Sequence, residues 1–212
     1  LYVRVRGRGG HASAPHLAAD ALPATCEMAL GLQTVLTRNV SAFDPAVITV
    51  GAIHAGNRYN VISGKGEFEA TIRTFSPEAQ QRIAADAQRY CQGVAAAHGV
   101  EVEIDYDYQY PVTVNAAAEA DFAGDTVTDL FGSDRFVDMA RPIAGAEDFS
   151  RVIDAVPGAM VFLGAAPPGS DGSARPDNHS ADASFDDGVL ADGTALLAEL
   201  ALRRLAAAGV GS

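Results

Sequence analysis

Between Glu101 and Tyr110 the chain alternates strictly. Val102, Ile104, Tyr106, Tyr108 and Tyr110 fall on one side, acids and Gln109 fall on the other, and Pro111 ends the run. A period of two dictates a strand with one buried face, since a helix would scatter these apolar residues around its axis. The tyrosines read as the face packed on helices, with a ligand-stacking platform as the alternative. The acids suit a strand at a sheet edge, where charge discourages pairing with another chain. Residues Glu67–Arg73 repeat the pattern, with Phe68, Ala70 and Ile72 against Glu67, Glu69, Thr71 and Arg73. Between the two strands, Ser76 and Pro77 predict a helix start and Gly99 its stop, with Ile83, Ala87, Tyr90, Cys91 and Val94 on one stripe.

The residues before Glu67 supply the same parts once more. Leu1–Arg6 reads as a strand, Ala18–Leu36 as a helix with Leu22, Cys26, Ala29 and Leu30 at helical spacing, and Ala46–Ile53 as an apolar strand closed by a turn at Ala55–Asn57. Strand, helix, strand, strand, helix, strand predicts an α+β sandwich of ferredoxin-like pattern over residues 1–113, four strands covered on one side by two helices. Residues 114–212 predict helices at Ala116–Phe131, Gly145–Val156 and Phe185–Ala208 around one apolar strand, Ala159–Gly164, with an irregular stretch at 165–183. A lone strand cannot satisfy its backbone, so the rest of that sheet is expected outside this sequence or in a partner chain. The opening Leu1, already inside a strand pattern, points the same way, to a piece of a longer protein.

A net charge of −12 argues against nucleic acid or an anionic membrane as partner. Cys26 and Cys91 read as buried free thiols on helix faces. No run is apolar enough to span a bilayer, and the N-terminus lacks signal-peptide form, which points to the cytoplasm.

Three spots carry chemistry. Gly7–His16, GRGGHASAPH, places three glycines and two histidines in ten residues after the first strand. Glycines give a loop access to positive φ and let bare N–H groups approach another molecule, and a histidine there can meet a developing negative charge. Alternatively, His11 only caps the turn. Glu147 and Asp148 sit together at a predicted helix start, where acids also simply favour the helix N-terminus. His179 lies in the irregular stretch with no second ligand close in sequence, so it supplies at most a fraction of a metal site. Arg73, on the polar side of its strand, either grips a carboxylate ligand or pairs across strands with Glu69 or Glu103. His16 reads as structural, and His54 and His98 as exposed residues near element ends.

Several of these segments fall in the order of a known family. Gly9–His16 resembles the GGHA-x-x-PH signature of dinuclear metal-dependent amidohydrolases, the hippurate hydrolase, N-acyl-amino-acid amidohydrolase and indole-acetyl-amino-acid hydrolase branch of the aminoacylase/carboxypeptidase superfamily. Arg58–Ile62 resembles its N-V-I-P turn, and Ala70–Phe75 its G-T-x-R-x-F strand. Gly145–Ser150 resembles its G-[SA]-E-D-F-S segment, and Asp177–Ser180 its H-[ST] ending. Ser63 stands where the family has proline and Ala70 where it has glycine.

The resemblance implies a lid and dimerisation domain at 1–113, followed at 114–212 by the C-terminal portion of an α/β zinc-peptidase-like catalytic domain. The catalytic glutamate and most metal ligands would lie in an absent N-terminal half, leaving this chain inactive alone. His179 is the retained ligand to one of two divalent ions (zinc, manganese, cobalt or nickel). His11 reaches into a neighbouring subunit's site to stabilise the oxyanion. Asn60 and Arg73 bind substrate, and Glu147 and Asp148 line the site wall. The implied activity is amide hydrolysis of N-acyl or N-aroyl amino acids by a homodimer. A non-catalytic dimerisation or small-molecule-binding module is the competing expectation. A phosphate-binding role for Gly7–Gly10 is weak, because neither P-loop nor Rossmann spacing is present.

Overall fold

A computed structural model describes residues 1–170, 176 and 178–209. The chain divides into two compact units, Leu1–Thr113 with Ile143–Ser150, and Val114–Pro142 with the residues from Arg151 onward.

The first unit contains β1 (Tyr2–Arg6), β2 (Gly10–His11), α1 (Ala21–Asn39), β3 (Ala46–Ala55), β4 (Val61–Ile62), β5 (Lys65–Thr74), α2 (Pro77–His98) and β6 (Glu101–Asp105). Four strands form an antiparallel sheet in the order β3-β5-β1-β6, and β2 pairs with β4 in a separate two-stranded ladder. Each helix thus connects parallel strands with one strand between them, the split βαβ arrangement. Val3, Val5 and Phe68 from the sheet close on Met28, Leu32, Ala87, Cys91 and Val94 from the two helices. Burial pushes the Cys91 thiol up to about 12, so it stays protonated as a core residue.

Local chemistry sets the element ends. Ser76 Oγ accepts from the Ala79 amide at 3.0 Å and donates to Asp44 at 2.7 Å, and Gly99 ends α2 with φ of 65°. The expected start of α1 at Ala18 moves to Ala21. Arg8 and Ala19 exchange two backbone hydrogen bonds of 2.8 Å, which hold residues 18–20 extended, and Asp20 then caps the helix through the Leu22 amide. The expected strand to Tyr110 stops at Asp105. All five residues of β1 are used by then, Tyr2 pairing with Asp105, and no ladder continues past it. Tyr106 and Tyr108 instead pack on each other with centroids 4.6 Å apart, and Tyr108 and Tyr110 are exposed, so the tyrosines are not a sheet face.

The second unit holds α3 (Ala117–Phe131) and α5 (Leu190–Gly209), while α4 (Phe149–Ala155) crosses the division. Side-chain pairs tie α3 to α5: Arg203 to Asp129 at 2.6 Å, Arg204 to Glu119, and the Arg204 guanidinium over the Phe122 ring at 4.2 Å. The expected helix from Gly145 begins only at Phe149, because the Ser150 amide and hydroxyl both close on the Glu147 carbonyl and leave the earlier residues outside it. Ala159–Gly164 is not a strand. Among the described residues no strand lies alongside it, and Val161, Phe162 and Leu163 are exposed. The Asn115 side chain supplies the pairing a neighbour strand would, donating to the Met160 carbonyl at 2.9 Å and accepting its amide at 2.8 Å. Among the described residues no helix is long and apolar enough to cross a membrane.

Candidate functional site

The glycine-rich loop is built from backbone ladders. Past β1, the Gly7 amide donates to Gly64 at 2.9 Å, and β2 lies on β4 with Gly10 opposite Ile62 and His11 opposite Val61. The glycines serve close approach rather than left-handed turns. None of Gly7, Gly9 and Gly10 has positive φ, and a Cβ on Gly7 would fall 2.1 Å from the Ala19 carbonyl oxygen.

This scaffold presents His11 at the surface. The Ser13 amide donates to its Nδ1 at 3.2 Å, and the Ser13 hydroxyl lies 2.7 Å from the same nitrogen. Asn60 is adjacent, its carbonyl accepting the Ala12 amide at 3.1 Å, while its exposed side-chain amide has no hydrogen bond within the described residues. Tyr59, 99% exposed, stands beside it. His16 is exposed in a single 3-10 turn at Pro15–Leu17.

Arg73 sits on β5 opposite Val47, half-buried, with no ion pair or hydrogen bond among the described residues. The cross-strand alternative is therefore not realised: Glu103 pairs instead with Arg4 at 3.4 Å and Arg6 at 3.7 Å. Arg73 and the His11–Asn60 pair lie at opposite ends of the sheet. Lys65, which pairs with Arg6 next to the glycine loop, is eight residues from Arg73 along β5, about 26 Å at the usual strand rise.

Glu147 and Asp148 are exposed in the first unit and His179 is exposed in the second. Asp177 lies outside the described residues. His54 is exposed on β3, but His98, expected to be exposed as well, is partly buried, pairs with Glu27 at 2.7 Å and links α2 to α1. Sequence reasoning missed Ser13. The signal was available, since a serine two residues beyond a polar side chain favours short side-chain-to-backbone contacts.

The sequence profile of peptidase family M20/M25/M40 matches residues 7–203, the loop and His179 included. The chain belongs to this family. It is 30% identical to the hippurate hydrolase of Campylobacter jejuni over 207 residues, 96% of this chain and 51% of that protein. It is 36% identical to the N-acetyldiaminopimelate deacetylase of Geobacillus thermodenitrificans over 167 residues, 77% of this chain and 43% of that protein. A Bacillus subtilis dinuclear metal-binding peptidase of the M20 family superimposes with a TM-score of 0.73 at 24% identity, covering 96% of this chain and 49% of that one. The chain thus spans about half the length of the curated relatives it matches.

Members of peptidase family M20/M25/M40 include dinuclear metal enzymes, and the donor set described here does not by itself fit such a centre. Among the described residues no three His, Cys, Asp or Glu side chains gather in a metal-holding group. His179 can give one imidazole ligand, and two ions require several more.

Proposed function

We propose that this chain is the lid and C-terminal catalytic portion of a metal-dependent hydrolase that cleaves the amide bond of N-acyl or N-aroyl amino acids. Residues 1–113 form the lid and 114–212 the catalytic portion. The observation that carries this reading is Arg73. A partly buried guanidinium with no carboxylate partner among the described residues is left available to an anion, and the free carboxylate of an acylated amino acid supplies one in bidentate geometry.

His11 and Asn60 act at the other end of the sheet. His11 donates a hydrogen bond to the oxyanion that forms as water adds to the amide carbon, and Asn60 holds the acyl carbonyl side of the substrate. Roughly 26 Å of β5 separates Arg73 from Lys65, where the strand meets the glycine loop, too far for a small substrate to bridge the two ends of the sheet in one copy. We therefore assign His11 and Asn60 of one copy and Arg73 of a second to the same site. Glu147 and Asp148 line its wall. His179 is one ligand of a pair of divalent ions, zinc, manganese, cobalt or nickel, whose remaining ligands and catalytic base belong to residues this chain does not supply. Such ions, held by His179 and by ligands outside this chain, would supply the means of activating a water.

The dimer forms through the lid sheet. β3 is a ten-residue edge strand with no Asp, Glu, Lys or Arg, and Val47 and Ile53 are exposed on it. Such an edge is a template for another strand, and an identical edge related by a two-fold axis completes it.

The test is the full-length protein assayed on hippurate and on N-acetyl amino acids, with and without chelator. Release of amino acid that stops on chelation, with KM raised at least about tenfold in Arg73→Ala and kcat lowered about a hundredfold in His11→Ala, is expected. Absence of chelator-sensitive release on both substrate types overturns the proposal.

A further inference from the structure

The geometry points to Ser13 as the positioning residue of His11: its amide and its hydroxyl both donate to Nδ1, which keeps the ring proton on Nε2. A backbone amide can only donate, so the 3.2 Å contact from the Ser13 N–H makes Nδ1 an acceptor. With that role fixed, the hydroxyl 2.7 Å away also serves as donor. A neutral imidazole has one N–H, which must then sit on Nε2. Among the described residues no other group hydrogen-bonds the ring, so Nε2–H is left for a molecule outside this chain's own fold.

The contact is local and rigidly based. The Ala14 amide donates to the His11 carbonyl at 2.9 Å and the Ala12 amide to Asn60 at 3.1 Å, so the turn that carries Ser13 is tied on both sides of the ring. This inference rests on the proposed role of His11 as an oxyanion donor, because a donor is useful there only in this tautomer. A ring with its proton on Nδ1 would turn a lone pair toward the forming negative charge.

The experiment is 15N NMR of the full-length protein with labelled histidine, His11 being assigned by the signal lost in His11→Gln. In alkaline buffer, wild type is expected to show a pyridine-type Nδ1 and a pyrrole-type Nε2. Ser13→Ala, which keeps the amide and removes the hydroxyl, shifts the tautomer ratio roughly three- to tenfold toward Nδ1–H, the range expected for loss of one ordinary hydrogen bond. Ser13→Thr restores it. A wild-type ring protonated at Nδ1, or an unchanged ratio in Ser13→Ala, overturns the inference. Turnover separates it from the hydrolase reading. A shifted tautomer with kcat reduced and KM altered by less than about twofold supports both. A shifted tautomer with turnover intact supports the Ser13 contact and counts against His11 as the oxyanion donor.

Discussion

The two edges of the four-stranded sheet are built to opposite specifications. β6, at one side, is five residues long and carries Glu101, Glu103 and Asp105 on its polar face, with Glu103 already engaged by Arg4 and Arg6. β3, at the other, runs ten residues without an acid, lysine or arginine, and exposes Val47 and Ile53. Short and charged edges resist further strands, and long uncharged ones accept them. The same sheet thus carries one closed side and one open side, and a partner is expected on β3 alone.

The strongest way to break this contrast is to charge the open side. Val47→Lys with Ile53→Lys sets like charges against each other wherever two β3 strands meet. Sedimentation is expected to show monomer, and hydrolysis to fall about a hundredfold, since each proposed site draws on two copies. A dimer that survives with full activity would remove β3 as the interface.

A middle-sized effect tests the interior strand that both sides depend on. Gly66 of β5 lies where a Cβ would come 2.1 Å from Oγ1 of the buried Thr25, itself bonded to the Ala21 carbonyl at 2.6 Å. Gly66→Ala must push α1 away from the sheet and is expected to cost about 2 kcal/mol in denaturant unfolding. The smallest effect belongs to the closed side. Glu103→Gln breaks pairs that are about half exposed, so unfolding free energy is expected to change by less than about 1 kcal/mol with the oligomeric state unaltered.

Much of the first unit was legible because its signals are local. Ser76, Pro77 and Gly99 bound α2 where capping chemistry puts them. The failures share a cause: a strand exists only beside another. The alternation of Tyr106–Tyr110 is real in sequence, yet β1 is too short to pair with it, and Val161–Leu163 are apolar with no neighbouring strand among the described residues. Likewise α1 begins only at Ala21 because Arg8 pairs with Ala19, a contact that helical periodicity cannot reveal. The candidate site residues stand out in the sequence as motifs. Their separation was not, because only the register of β5 puts Arg73 and His11 at opposite ends.

That separation has a genetic consequence. Take one chain bearing His11→Ala and another bearing Arg73→Ala, each impaired by itself under the proposed arrangement, the first in kcat and the second in KM. When subunits exchange, a mixed pair concentrates both lesions in one pocket and leaves the second pocket with an intact imidazole and an intact guanidinium. With about half of the dimers mixed, about a quarter of the wild-type turnover, measured well below KM, returns from two impaired preparations. Such alleles would complement in a cell, while a double mutant carrying both changes on one polypeptide would rescue neither.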